Sequence, residues 1–196
     1  MTPTFVSLVL FAVAGAFTPG PNNIISTASG AAFGFRRTLP QIWGVTLGFP
    51  LMVIAVGFGL GGLFRAVPHL HEVLKFVGAA YLLFLAWKIA VADPASGAAI
   101  AQPFTLLQAA LFQWVNPKAW TLALSVVPTF TTVGGDLVAE VLLIAAVMGA
   151  VTFPALAVWA SFGVVIARLV SSPRAHRLIN LAMALLVAAS VVLLFL

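Results

Sequence analysis

Two clusters of helix-breaking residues lie inside apolar sequence, and both also carry amide side chains. The first is the run Thr18, Pro19, Gly20, Pro21, Asn22 and Asn23. The second contains Gln113, Asn116, Pro117 and Lys118. Proline and glycine interrupt helices, and lipid cannot hydrogen-bond to the freed backbone, which must be buried in protein or line a wet cavity. The sequence therefore predicts two broken membrane helices with a binding site at the breaks.

Anion binding is the chemistry that these two breaks favour. Gly20 and Asn116 are acceptable N-cap residues, and each precedes a proline, which suits the first helical position. A half-helix that begins there directs free N–H groups and the positive end of its dipole toward the break, as a carboxylate site requires. The alternative is a pair of kinks that only shape the helix bundle.

Lys118 adds a positive charge to the second cluster. It lies ten residues before Pro128 in a long apolar run, or about 15 Å along a helix that rises ~1.5 Å per residue. That depth is too great for easy snorkelling, and a charge inside a membrane marks a functional site by default. We expect Lys118 to neutralise a substrate carboxylate or to titrate during transport. A lysine that only caps the carbonyls of the broken helix is the alternative.

Composition places the whole chain in a membrane. Of the 196 residues, 63% are hydrophobic and 7% are charged, and the mean hydropathy is +1.18. Such values indicate a polytopic membrane protein rather than a soluble domain. The nine Lys and Arg residues outnumber the four Asp and Glu residues but are thinly scattered, which reflects membrane topology and predicts no nucleic-acid partner. The absence of cysteine excludes disulfides and thiolate metal sites.

Six apolar stretches are long enough to cross a membrane, so the sequence predicts an all-α protein with six transmembrane helices. They cover residues 4–33, 42–64, 73–91, 104–127, 137–167 and 178–196. The connections are short, including a loop at Arg36 and Arg37, and a linker of small residues at 92–103 divides the chain into halves. We interpret residues 1–196 as one transmembrane transporter domain, with repeat 1 at about 1–92 and repeat 2 at about 103–196.

The two halves share the placement of their prolines. Gly20-Pro21 in the first span corresponds to Asn116-Pro117 in the fourth, and Phe49-Pro50 in the second corresponds to Phe153-Pro154 in the fifth. An odd number of spans per half inverts the second half, as in many secondary transporters. We therefore predict two inverted three-helix repeats, with helices 1 and 4 broken at the midplane. Chance is the alternative, because prolines are common in membrane helices.

The loop charges predict the orientation. Lys and Arg residues accumulate in cytoplasmic loops. Loops one, three and five carry more of them than loops two and four, which have Arg65 and Lys75. The residues of the odd loops are Arg36, Arg37, Lys88, Arg168, Arg174 and Arg177. Both termini are therefore expected outside.

Other motifs have structural explanations or lack chemical partners. Pairs of glycines four residues apart predict close helix packing. The pairs are Gly30 with Gly34, Gly44 with Gly48, and Gly57 with Gly61. No predicted span carries Asp, Glu or His at depth, so neither a metal site nor a cofactor is expected. An intramembrane enzyme would need a nucleophile with a base or a metal cluster, and none is visible, so no enzymatic activity is predicted.

Several motifs together resemble a known family. The stretch from Thr18 to Asn22, followed by Gly30, Gly34, Gly44 and Gly48, resembles the opening signature of the LysE/RhtB family of bacterial amino-acid exporters. Gly78-Ala79-Ala80-Tyr81-Leu82, Trp87-Lys88 and Phe112 followed by Asn116-Pro117-Lys118 are also similar to that family. The resemblance covers essentially the whole chain, although Leu39-Pro40 departs from the glycine- or alanine-rich pattern of the family.

The resemblance implies a multi-pass exporter of a small amino acid or derivative in the bacterial plasma (inner) membrane, driven by proton antiport. The branch that exports cysteine and O-acetylserine is the most similar. The site residues would then be the ten residues of the two break clusters. An exporter of a metal cation or another small metabolite on the same fold is the alternative. Membrane lipid surrounds such a bundle, and a homo-oligomer is left open.

Overall fold

The computed structural model describes residues 3–60, 68–91, 103–170 and 172–192, and these residues are helical apart from short connections. The helices are α1 (Pro3–Phe17), α2 (Pro21–Phe33), α3 (Phe35–Ala55), α4 (Pro68–Ala90), α5 (Leu106–Phe112), α6 (Pro117–Phe130), α7 (Leu137–Leu169) and α8 (Pro173–Val192). Most of the predicted linker, and the predicted ends of the second and sixth spans, lie outside the described residues.

The first predicted break lies between α1 and α2. The two helices meet at a bend of 54°. Gly20 is the extended N-cap of α2, and Pro21 occupies the first turn, where its missing N–H costs no helical hydrogen bond. The prediction of a half-helix that begins at Gly20-Pro21 is confirmed.

The second predicted break lies between α5 and α6. A 3₁₀ turn over Gln113–Val115 ends α5, and Asn116 then adopts an extended conformation. The Asn116 side chain accepts a hydrogen bond of 3.1 Å from the backbone N–H of Lys118, and Pro117 opens α6. The prediction of this break is also confirmed. The start of α6 is capped by the side chain of Asn116, whereas the start of α2 has no side-chain cap.

The prediction of a loop at Arg36 and Arg37 is wrong. Gly34 has φ 80, a left-handed conformation that glycine adopts without strain, and this single residue redirects the chain between α2 and α3. As a result α3 already begins at Phe35, and both arginines lie in its first turn. Gly34 therefore serves as a turn and not, as its spacing from Gly30 predicted, as a packing residue, since a Cβ atom added to it would have no neighbour within 4 Å.

Two described helices are long and apolar enough to cross a membrane, and the bent pair of α1 and α2 makes a third span if it is counted as one. The two are Phe35–Gly59, which includes a π-type turn after α3, and Leu137–Leu169. Shorter apolar helical stretches occupy Phe76–Ala90, Leu106–Val115 and Arg177–Ala189. The described residues thus form an all-helical structure with two or three candidate membrane spans, while the count of six and the inverted repeat stay predictions.

Helix α7 packs against α2 with the two backbones in contact. A Cβ atom on Gly30 would lie 2.1 Å from the Ala160 carbonyl oxygen, and one on Gly163 would lie 2.0 Å from the Thr27 carbonyl oxygen. Gly44 and Gly48 of α3 approach the backbone of α5 in the same way. The packing role predicted for Gly30, Gly44 and Gly48 is therefore confirmed, whereas Gly61 lies outside the described residues.

Each broken helix places its two halves in different apolar cores. α1 and α6 contribute Leu8 and Ala123 to a core that also contains the second half of α3 and the first half of α7. α2 contributes Ile24 and Ile25 to another core, which it shares with α4, α8 and Phe112 of α5. The two breaks consequently lie where the chain passes from one core to the other.

Candidate functional site

A cavity lies between the two breaks and is bordered by α1, α2, α3, α6 and α7 together with the turn after α5. Its volume is about 40 Å³, more than the roughly 10–15 Å³ that one water molecule needs. The lining residues are Gly15, Ala16, Gly20, Asn22, Asn23, Val45, Phe49, Gln113, Asn116, Lys118, Ala119, Leu122, Met148, Thr152 and Leu156. The two clusters that lie about half a chain apart in sequence thus meet at one cavity.

Six of the ten site residues predicted from the sequence line this cavity, namely Gly20, Asn22, Asn23, Gln113, Asn116 and Lys118. The other four, Thr18, Pro19, Pro21 and Pro117, are not among the lining residues. The two prolines Pro21 and Pro117 begin the half-helices. Thr18 contributes its backbone carbonyl, which accepts a hydrogen bond from the Lys118 ammonium group.

An amide pair joins the two breaks directly. Asn22 donates through Nδ2 to Oε1 of Gln113 over 2.8 Å, and Gln113 donates in return through Nε2 to Oδ1 of Asn22 over 3.4 Å. Gln113 also donates to the Ala109 carbonyl oxygen over 2.8 Å and is completely buried. The pair fixes the start of α2 against the turn before α6.

The ammonium group of Lys118 lies at the first break. It donates to the Thr18 carbonyl oxygen at the C-terminal end of α1. A Cβ atom on Gly20 would lie 2.6 Å from Cδ and 3.2 Å from Nζ of Lys118, so the lysine side chain occupies space that only a glycine leaves open. The lysine therefore acts as a carbonyl cap in this structure and lies directly beside the N-cap of α2.

Asn23 organises the C-terminal end of α1. Its Nδ2 donates to the carbonyl oxygens of Ala16 and Thr18, both over 2.9 Å. Carbonyl groups at a helix C-terminus have no partner within the helix, so an amide donor is a suitable cap. Within the described part of the chain, no hydrogen bond reaches Oδ1 of Asn23.

The N-terminal end of α2 is open. Gly20 has no side chain to accept from the first-turn N–H groups, and no side-chain cap is present. At the corresponding end of α6, Asn116 caps the N–H of Lys118. Because α2 retains uncapped donors and the positive end of its dipole, its start is better suited than that of α6 to the anion binding that the sequence predicts.

The remaining wall of the cavity is mainly apolar and was not predicted from the sequence. Val45, Phe49, Met148 and Leu156 line it from α3 and α7. Thr152 also lines it, and its hydroxyl donates to the Met148 carbonyl oxygen over 2.7 Å. Lipid-facing and cavity-facing positions of a membrane helix are both apolar, so hydropathy cannot separate them. The signal that was available is the position of Phe49 and Thr152 beside the mid-helix prolines Pro50 and Pro154.

No group of three His, Cys, Asp or Glu side chains that could hold a metal ion occurs in the described ranges of the chain. Among the described residues that line the cavity, Lys118 is the one charged side chain. The cavity therefore combines a cation, an uncapped helix N-terminus and amides with an apolar wall. Such a cavity attracts a small molecule that carries a negative group.

Membrane-length helices around a cavity at two helix breaks are the arrangement of a secondary membrane transporter. A model of the LysE type translocator family matches residues 13–196. The chain therefore belongs to the LysE family of translocators, as its motifs predicted. Because that family consists of transporters, the prediction that the chain is not an enzyme is confirmed.

Curated relatives agree with this membership. The chain is 34% identical over 131 residues to the cysteine/O-acetylserine efflux protein of Klebsiella pneumoniae, which covers 66% of this chain and 67% of that protein. The proteins of the same name from Escherichia coli K12 and Salmonella typhimurium are 34% and 35% identical over 134 residues, with the same coverage. The predicted similarity to this branch is confirmed. No solved structure matches the chain significantly.

Proposed function

We propose that the protein exports a small neutral amino acid or a close derivative across the bacterial plasma (inner) membrane. The observation that carries the proposal is the Lys118 ammonium group beside the uncapped start of α2, inside a cavity that two helix breaks enclose. The family membership and the efflux relatives support the direction of transport and the class of cargo. Cysteine and O-acetylserine, which the relatives' names give, are the first substrates to test.

The carboxylate of the substrate binds at the start of α2. Uncapped N–H groups of the first turn donate to it, the helix dipole favours its charge, and Lys118 neutralises it. Charge-assisted hydrogen bonds are stronger than neutral ones, and a site removed from bulk water strengthens the attraction further. Asn22 and Gln113 position this end of α2 through their amide pair.

The cavity wall selects a neutral side chain. No Asp or Glu is among the described lining residues, so a basic side chain finds no counter-charge there. Lys118 repels a second cation, which also disfavours a metal ion as cargo. Phe49, Met148 and Leu156 instead accept an apolar or weakly polar side chain, and Thr152 offers it one hydroxyl.

Export is driven by exchange against protons through six transmembrane spans arranged as two inverted repeats, with both termini outside. Two aspects of the fold support this part of the proposal. Each broken helix has its halves in separate cores, which is the arrangement that a movement of one core against the other would use. Lys118 is a titratable side chain at that boundary.

Lys118→Met tests the carboxylate role. The substitution keeps most of the aliphatic length and removes the charge, so we expect the apparent affinity with which N-acetyl-L-serine, a carboxylate ligand without an ammonium group, inhibits transport to fall by about one to two orders of magnitude, from the ~1.5–3 kcal/mol of a charge-assisted contact. The measurement is substrate flux in vesicles at equal protein level. Lys88→Met is the matched control, because Lys88 lies over the Phe84 ring and not in the cavity. An unchanged affinity in Lys118→Met would refute the carboxylate role.

A further inference from the structure

The C-terminal end of α1 presents carbonyl acceptors to the same cavity to which the start of α2 presents N–H donors. Ala16 and Asn23 line the cavity, and the Thr18 carbonyl oxygen faces the Lys118 ammonium group. Carbonyls at a helix C-terminus carry the negative end of the dipole and favour a cation. Opposite helix ends therefore meet at one break, with the negative end of α1 next to the positive end of α2.

We propose that this end of α1 is the subsite for the α-ammonium group of the substrate, and that Lys118 and the substrate ammonium compete for it. The proposal rests on the proposed function, because it assigns the second charged group of the same amino acid. Lys118 moves from the Thr18 carbonyl to the substrate carboxylate as the ammonium group takes its place.

Counting hydrogen bonds at the Thr18 carbonyl shows why the two cations exclude each other. A carbonyl oxygen has two lone pairs. Asn23 Nδ2 uses one of them over 2.9 Å, and the Lys118 ammonium group uses the other. The substrate ammonium group can therefore bind to the Thr18 carbonyl oxygen only after Lys118 has left it. Repulsion between the two positive charges at hydrogen-bonding distance from one oxygen also prevents both from binding at once.

The subsite supplies the three acceptors that an ammonium group needs. Thr18 provides the carbonyl oxygen that Lys118 vacates. Ala16 provides the second lone pair of its carbonyl, since Asn23 uses the first over 2.9 Å. Asn23 provides Oδ1, which has no hydrogen-bond partner in the described ranges although the residue is only 4% exposed. An acceptor on a residue that lines the cavity and that has no protein donor is open to a ligand, which supports a cationic group at this position.

The competition predicts an unusual response to Lys118→Met. In the wild type, a ligand that has an ammonium group but no carboxylate must displace Lys118 from the Thr18 carbonyl and gains no contact with Lys118 in return. Such a ligand should therefore bind more tightly once the competitor is removed. N-acetyl-L-serine, which has only the carboxylate, should bind less tightly, and L-serine should change least because the two effects oppose each other in it. A lysine that serves only as a structural cap or as a carboxylate receptor predicts only the smaller gain that comes from losing one nearby positive charge.

The experiment measures binding of three probes to the purified full-length protein in detergent, namely L-serine, L-serine methyl ester and N-acetyl-L-serine. In Lys118→Met we expect the ester to bind about tenfold to a hundredfold more tightly than in the wild type, and N-acetyl-L-serine to bind more weakly. Lys88→Met is the matched control and should leave all affinities unchanged. An ester affinity that is unchanged or reduced in Lys118→Met overturns the proposal.

A second measurement uses the wild-type protein, so it tests the proposal even if Lys118→Met does not fold. The chain has three lysines, Lys75, Lys88 and Lys118, so ¹⁵N-labelled lysine gives a simple NMR spectrum of the ammonium groups. Addition of the ester should shift the Lys118 signal and leave that of Lys88 in place. A Lys118 signal that does not respond at saturating ester overturns the proposal.

The two proposals fail separately. If N-acetyl-L-serine loses affinity in Lys118→Met while the ester does not gain, the ammonium subsite is refuted and the carboxylate site stands. If the wild type exports no neutral amino acid from vesicles but the ester gains affinity in Lys118→Met, the proposed cargo is refuted and the ammonium subsite stands.

Discussion

The amide pair of Asn22 and Gln113 should couple the two breaks energetically. One of its hydrogen bonds is 2.8 Å long and the other 3.4 Å, and Gln113 is fully buried. Hydrogen bonds between membrane helices contribute about 0.6 kcal/mol on average and at most ~1.7 kcal/mol. Since one bond is short and the other long, we expect a coupling free energy of about 0.6–1.7 kcal/mol between the two side chains.

Gln113→Leu alone should have a larger effect than this coupling. It removes both bonds to Asn22 and the bond to the Ala109 carbonyl, and it leaves the Asn22 amide without its partner. An unsatisfied polar group costs about 1–3 kcal/mol when it is buried, and the half-buried Asn22 amide is expected at the lower end of that range. We therefore expect the free energy of unfolding to fall by about 1–3 kcal/mol, with weaker transport because the start of α2 is no longer fixed.

A double-mutant cycle measures the coupling. Wild type, Asn22→Leu, Gln113→Leu and the double variant are unfolded reversibly in micelles, and the four free energies give the interaction term. The control cycle combines Gln113→Leu with Thr129→Val, because the Thr129 hydroxyl bonds to the Ser125 carbonyl within its own helix and Thr129 does not line the cavity. The control effects should add. A coupling within ~0.3 kcal/mol of zero for Asn22 and Gln113 would refute the direct connection between the breaks.

Three further predictions concern the lysine, the packing and the topology. Gly20→Ala should keep the fold but displace Lys118, whose Cδ would lie 2.6 Å from the new methyl group. Export by this variant at equal protein level should fall severalfold, and export at the wild-type rate would contradict the prediction. Gly30→Leu should abolish stable folding, because even a Cβ would lie 2.1 Å from the Ala160 carbonyl oxygen. Ala32→Leu, at an exposed position of the same helix, should be tolerated. Equal yields of the two folded variants would refute the close contact between Gly30 and Ala160. Arg36→Cys and Arg174→Cys should resist membrane-impermeant thiol reagents in intact cells, whereas Thr4→Cys should react. The reverse labelling pattern would show that the predicted orientation is wrong.

The positions of the helix breaks follow from local sequence. Pro21 and Pro117 lack the N–H that a continuous helix needs, and each follows an N-cap residue, Gly20 or Asn116, so a helix begins there. Pro50 and Pro154 instead follow phenylalanine and lie inside helices. The membrane class likewise follows from composition, because lipid requires apolar side chains wherever the chain crosses it. Neither conclusion depends on which helices are neighbours.

The sequence predicted the start of α3 incorrectly. Two adjacent arginines suggested a loop, but a single glycine with φ 80 is enough to redirect the chain, and Arg36 and Arg37 then fit the first helical turn. A glycine four residues after another one indicates close packing as readily as it indicates a turn. Its backbone conformation, which distinguishes the two, is set only when α2 and α3 pack together.

The roles of the side chains in the two clusters depend on tertiary contacts. Lys118 reaches the Thr18 carbonyl 100 residues away, and Gln113 meets Asn22 across 91 residues. Hydropathy places Lys118 deep in a span but cannot say whether it faces a carbonyl, a carboxylate or both in turn. The apolar wall of the cavity could not be predicted either, because hydropathy gives Phe49 and Met148 the same value whether they face lipid or the cavity. These distinctions depend on contacts between distant segments, and such contacts are fixed by how the helices pack rather than by the chemistry of any one helix.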